Sequence, residues 1–279
     1  MPTATPTITT NNNNMRTFSF RQYWNTFKWM MFSNHRELLT LFGGITLGTF
    51  VFEEFIVSPM FRRNGGDVVT LNLVMIFSFY LFFGNLWVMY GASRTFGDIK
   101  SRHSAITMLM HPATNLEKFA ARITYYSVLW TLLAVVGATL GDVLRYGFNI
   151  IVGWNADTPI LGTSGSTLMR FMYEDELTAK LIVEVTYLVF SVSLWVHSVY
   201  VLGSAFFRRN RFLLSTITLC IVQTFLAAFL PSSVVDVALN STFSGFEALP
   251  ALMFAAFHYW LAYILFTRMQ VINNKWINL

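Results

Sequence analysis

Hydrophobic residues recur along this chain in two ways. Between 18 and 32 they follow a helical period, with Phe20, Tyr23, Trp24, Phe27, Met30 and Met31 on one face and Arg21, Gln22, Asn25 and Lys28 opposite. That pattern predicts an amphipathic helix lying in the membrane interface, too polar on one side to cross. Farther on, the period gives way to six long apolar runs, at 38–58, 69–90, 120–140, 181–202, 212–230 and 248–266. Each reaches the roughly 20 residues that a helix needs to traverse the hydrocarbon core. The expected fold is all-α: a polytopic membrane protein with six transmembrane helices behind an N-terminal interfacial helix.

This reading divides the chain into a polar tail at 1–14, an interfacial helix at 15–37 and one transmembrane domain at 38–279. Within that domain lie an inner segment at 91–119 and outer connections at 141–180 and 231–250. The tail is rich in Thr and Asn, has two prolines, and lacks the basic start and apolar centre of a signal peptide. With no apolar surface to fold against, it is expected to be disordered, with Met15 as the alternative start. The connection at 141–180 carries Gly, Ser, Thr, Asn and the acidic run Glu174-Asp-Glu176, as a small cap or hairpin over the outer face would. The connection at 231–250 is apolar for a loop and suits a segment that dips back among the helices, where its backbone is shielded. No internal repeat and no composition break marks a second domain.

Composition agrees with a membrane protein: 54% of the residues are hydrophobic and 12% charged, about half the charge of a soluble domain. The single Cys220 excludes an intrachain disulfide and a cysteine metal cluster. The formal charge of +5 sits beside the spans rather than in a patch for nucleic acid. Fourteen of the nineteen Lys and Arg fall in the tail-side segment, the even connections and the C-terminal segment, leaving Arg62, Arg63, Arg145, Arg170 and Lys180 on the other side. An excess of that kind marks the cytoplasmic face, so both termini are expected inside a cell (inner) membrane.

Catalytic motifs are missing. No Walker A loop, zinc-binding His-Glu-x-x-His helix or Gly-x-Ser-x-Gly elbow occurs, and the expectation is a non-enzyme with no catalytic, cofactor-binding or metal-ligating residue. Polar groups inside the spans are few and costly. Glu53 and Glu54 near the outer end of the first span, and Glu184 one turn inside the outer end of the fourth, stand where carboxylates reach the outer headgroups in preference to lining a polar chamber or holding a cation. His197, in the inner half of the fourth span, and His258, near the middle of the sixth, suit interhelical hydrogen bonds better than a proton relay. Asp142 and Arg145 read as an ordinary intrahelical pair at the outer end of the third span. The eight tryptophans fit interfacial belts and helix packing.

The most polar stretch between the runs is 94–122. Phe96, Ile99, Ile106 and Leu109 give it apolar positions, and Pro112 ends its first element. Thr114 with Glu117 three residues on then forms a capping box for the next helix. The run Met110-His-Pro-Ala-Thr-Asn-Leu-Glu-Lys-Phe119 resembles a Leu-Pro-Ala-Ser-x-x-Glu-Lys-Phe pattern of type 2 ABC transporter permeases, especially Bacteroidetes-like ones, with His111 in place of Leu and Thr114 in place of Ser. The resemblance implies an exporter-like membrane subunit, a homodimer or heterodimer coupled to a separate ATP-binding cassette subunit. The coupling residues would be Arg94, Phe96, Asp98, Lys100, His111, Pro112, Thr114, Glu117 and Lys118. It also implies an elbow helix before the first span and a re-entrant outer segment at 231–250. Two other readings stand beside it: a plain capped turn for this stretch, and a non-transporting assembly or anchoring protein for the whole chain.

Overall fold

The computed structural model describes residues 18–57, 59, 69–97, 106–108, 110–153, 176–229 and 249–268, and among them the chain is all-helical. Helix α1 (Phe20–Ser33) is parted from α2 (His35–Phe52) by Asn34 alone, whose φ of −108° and ψ of 21° interrupt the helical path. A π-helical turn, π1 (Glu53–Val57), continues α2. Next come α3 (Val69–Arg94), α4 (Asn115–Ile123), a second π-helical turn π2 (Thr124–Leu129), α5 (Trp130–Val152), α6 (Glu176–Phe206), α7 (Arg211–Phe229) and α8 (Leu249–Thr267). α4, π2 and α5 form one rod of 38 residues, about 57 Å long. Gly153 ends it, taking the left-handed φ of 74° that a glycine adopts without steric cost.

Four helical stretches are long and apolar enough to cross a bilayer: His35–Ile56, Asn115–Val152, Thr186–Phe206 and Leu249–Thr267. The chain is therefore a membrane protein. α3 and α7 are 26 and 19 residues long, and each has a single charged residue at its end, Arg94 or Arg211. Large apolar side chains stay exposed along the helix flanks, among them Phe82, Phe83, Leu132, Val135, Val136 and Phe225. In lipid such faces need no protein cover, because the tails are as apolar as the side chains.

Helix α6 is the centre of the bundle, packed by α3, α7 and α8, while α2 lies along α5 and α1 along α4. Two apolar cores form at one end. In the first, Phe96 meets Phe266 at 5.2 Å and Phe119 at 5.8 Å between ring centroids, over Tyr200, Val201 and Ala205. The second joins Phe27 and Met30 of α1 to Tyr125, Tyr126 and Trp130 of the rod. The opposite half is tightened by glycine. A Cβ on Gly141 would lie 2.7 Å from the Thr46 carbonyl oxygen and 2.8 Å from Thr49 Cβ, and one on Gly137 would lie 3.2 Å from Ile45. Gly137 and Gly141, four apart, thus let α2 and α5 approach closely, as small residues do between membrane helices.

The rod differs from the expected third span of 120–140, beginning at Asn115 and running on to Val152. Gly141, Asp142 and Arg145 punctuate the apolar run as a loop would. They face inward, however, where Gly141, Asp142 and Arg145 are buried, while Val143, Leu144, Ile150 and Ile151 keep an apolar exterior. The first twelve residues of the expected outer connection are therefore helix. The last five residues of that connection, 176–180, and the last two of the second, 249–250, are helix as well, while the polar tail, 154–175 and 231–248 lie outside the described residues.

Candidate functional site

The inner segment is organised by one carboxylate. Thr114 caps α4: its hydroxyl accepts from the Glu117 N–H at 3.3 Å, and Glu117 Oε2 accepts from the Thr114 N–H at 2.7 Å. The other oxygen, Oε1, accepts from the Ser19 N–H at 2.6 Å, and Ser19 is the N-cap of α1. A single fully buried carboxylate thus serves the N-termini of two helices and faces the positive ends of both dipoles. Contacts farther along fix α1 against α4 and π2. The Tyr23 hydroxyl donates to Thr124 Oγ1 at 2.9 Å, and the His111 ring stacks on Trp29 with centroids 5.3 Å apart. Thr26 gives its hydroxyl proton to the Gln22 carbonyl, so His111 Nε2, 3.0 Å from Thr26 Oγ1, is the donor in that bond. Burial, helped by the nearby Lys118 cation, holds the His111 pKa below its ordinary value.

Arginines tie this unit to the neighbouring helix ends. Arg122 Nη1 donates to the Thr95 carbonyl at 3.0 Å, just past the end of α3. Arg94 pairs with Glu37 of α2 at 2.9 Å and lies over the Trp130 ring at 5.6 Å. Of the coupling residues read from the sequence, Phe96, Glu117 and Lys118 are buried, Arg94, His111 and Thr114 are half-buried, and Pro112 is exposed. Asp98 and Lys100 lie outside the described residues. The segment turns outward Ile106 and Pro112, which sequence reasoning had named, together with two residues it did not single out, Leu116 and above all Met110, which is 80% exposed. Its signal was present in the four-residue spacing of Ile106 and Met110, both apolar in the most polar stretch of the chain.

Polar groups also meet within the membrane half. His197 of α6 is held between Ser127 Oγ of π2, 2.7 Å from Nε2, and the Tyr259 hydroxyl of α8, 2.6 Å from Nδ1. His258 Nδ1 lies 3.2 Å from Ser198 Oγ, and Ser193 donates to Asn85 Oδ1 at 3.0 Å. These contacts join α6 to π2, α8 and α3.

Glu53 and Glu54 do not reach outward to headgroups. Both are buried, Glu53 completely, at the α2–π1 junction. The Tyr80 hydroxyl of α3 donates to Glu53 Oε1. Arg145 lies 3.4 Å from Glu53 Oε2 and 3.1 Å from Asp142 Oδ1, so the Asp142–Arg145 pair is a buried part of a cluster rather than an interfacial ornament. The tight α2–α5 contact at Gly141 encloses it, which is why a reading by depth alone placed these carboxylates wrongly. Glu184 falls in α6, and its side chain lies outside the described residues. Among the described residues no three His, Cys, Asp or Glu side chains are grouped to hold a metal ion.

Compared with protein families, with characterised proteins and with solved structures, the chain matches none.

Proposed function

We propose that the chain is the membrane-spanning permease subunit of an ABC exporter-like transporter, working as a homodimer or heterodimer with a separate ATP-binding subunit. Its six spans are α2 with π1, α3, the α4–α5 rod, α6, α7 and α8. Both termini lie in the cytoplasm, on the side favoured by the Lys and Arg excess. The observation that carries the reading is the exposed strip of Ile106, Met110 and Leu116 beside the Glu117 clamp. An apolar strip at the inner end of a bundle fits a protein partner, and the clamp makes the strip part of a stiff unit. Closure of an ATPase pair against it would push α1 and the rod together, because Glu117 holds both. The packing of the dimer halves would change in response, and substrate would pass between them.

Co-purification after gentle solubilisation tests this. The wild-type chain should bring down an ATP-binding subunit, and Met110→Glu should reduce that yield several-fold without lowering expression, since an exposed substitution usually changes stability by less than about 0.5 kcal/mol. Recovery of the wild-type chain with no ATP-binding subunit would instead favour an assembly or anchoring protein.

A further inference from the structure

The apolar face expected of α1 is divided between two surroundings. Its Phe27 and Met30 are buried in the protein against Tyr125, Tyr126 and Trp130, with Tyr23 packed beside them. Its Phe20 and Trp24 are left exposed, at 69% and 43%, next to the exposed Arg21 and Lys28. Phe20, Trp24, Lys28, Arg21 and Phe32 follow one another around about 120° of the helix. All five are exposed, and Lys28 Nζ lies 5.5 Å from the centre of the Trp24 ring. The helix ends five residues before Leu38, where the first apolar run begins, and packs on α4 and π2. The rod that α4 opens is 38 residues long, about 57 Å, against a hydrocarbon core of about 30 Å. Its charged start, with Glu117, Lys118 and Arg122, therefore stands outside that core, and α1 beside it lies at headgroup depth.

Charge decides what meets this face. From Arg16 to Arg36 the chain carries four Lys or Arg and no Asp or Glu. Glu117 and Glu37, which adjoin α1 at its two ends, are both engaged, the first by the Ser19 and Thr114 N–H groups and the second by Arg94 at 2.9 Å. Arg21, Lys28 and Arg36 are exposed and form no ion pair among the described residues. We propose that the outward face of α1 is a binding surface for anionic phospholipid headgroups, with Arg21, Lys28 and Arg36 on the phosphates and Phe20, Trp24 and Phe32 at the top of the acyl chains. Aromatic rings settle at that boundary, and each cation near an anionic lipid surface adds attraction. A protein partner fits less well, because the face alternates cations with large rings and the headgroup boundary satisfies both along its whole length. The inference is independent of the permease reading, since an anchoring protein would present the same surface.

Fluorescence quenching by labelled lipids tests the proposal on the full chain in phosphatidylcholine vesicles. A fluorophore is attached at Asn25→Cys, an exposed position of α1, in a Cys220→Ser background. A small, equal share of phosphatidylglycerol or phosphatidylcholine then carries a nitroxide just below the headgroup. The phosphatidylglycerol form should quench several-fold more, whereas at Ile221→Cys on the exposed flank of α7 the two should quench alike. Raising the salt from about 0.1 to 1 M, which shortens the Debye length from about 10 to 3 Å, should shrink the preference at Asn25→Cys. Arg21→Gln, Lys28→Gln and Arg36→Gln together should abolish it. Equal quenching by the two lipids at Asn25→Cys would overturn the proposal without reference to the charge variants. So would quenching by neither lipid, which leaves the face to water or a protein, or a preference that survives the triple substitution. Loss of the preference on adding soluble glycerol phosphate at unchanged ionic strength would also overturn it, by making the occupant a free anion.

Discussion

Glu117 gathers the N-termini of α1 and α4 onto one side chain. Glu117→Gln keeps one acceptor oxygen and orphans one of the two N–H groups, which for a bond to a charged acceptor costs about 1.5–3 kcal/mol. Hydrogen exchange should speed up across α1 and the first turn of α4 and stay unchanged in α5. Thr114→Ala should cost about 1 kcal/mol and act on α4 alone. Equal protection of α1 in wild type and Glu117→Gln would show that the clamp does not hold it. His111 adds a pH dependence. Its pKa is depressed by burial, so the undocked state binds more protons than the docked one below the ordinary value of 6.5. α1 docking is therefore at full strength above about pH 6.5 and weakens as the pH falls through that value. Fluorescence of Trp29, stacked on His111, should report the change, and His111→Gln should flatten it. At this scale the capping box was legible because it spans three residues. The share taken by Ser19 was not, since it joins positions 98 apart and no local pattern encodes it.

Among the described residues each of the six apolar runs falls on a helix, with α1 read from its period and α4 from its capping box, and the errors concern where helices end and what their polar positions do. The rod runs past 140 because Gly141 is a contact residue and not a terminator. A reading that weighs each position without its neighbour on another helix ends the span at the glycine, even though it pairs Asp142 with Arg145 as intrahelical neighbours. The same blindness placed Glu53 at the headgroups. Both errors share a cause, the α2–α5 approach, which depends on two glycines four residues apart meeting Ile45, Thr46 and Thr49. Gly141→Val should force those helices apart at a cost of about 1–3 kcal/mol, the usual penalty of overpacking. Thermal unfolding of the detergent-solubilised protein would measure it, and Gly147→Val, at a position with nothing within 4 Å of its added Cβ, serves as the control. Equal stability of the two variants would remove the close packing from the account. Both π-helical turns, Glu53–Val57 and Thr124–Leu129, carry side chains of the buried polar contacts, Glu53 in one and Ser127 in the other. Such turns are rare and often mark functional positions, and no periodicity in the sequence announces them.

At the scale of the whole molecule, the segments with the Lys and Arg excess converge. The end of α3, α4, the α6–α7 turn and the end of α8 meet around Phe96, Phe119 and Phe266, and Arg211 approaches Gly97. Chain ends that alternate sides of a membrane must gather in this way, and charge counting had grouped the same segments without any knowledge of their contacts. The apolar exterior, the α1 clamp and the exposed Met110 strip then acquire a common orientation, with the Glu53 cluster toward the other face. We propose that the end carrying the α1 clamp faces the cytoplasm, and single-cysteine labelling decides it. In a Cys220→Ser background, which removes the exposed native thiol, Ile151→Cys at the far end of the rod and Arg209→Cys in the α6–α7 turn place one thiol on each side; both positions are exposed. A membrane-impermeant maleimide applied to intact cells should label the Ile151→Cys protein at once and the Arg209→Cys protein only after permeabilisation. Labelling of the Arg209→Cys protein from outside intact cells would contradict the orientation and with it the inner docking strip.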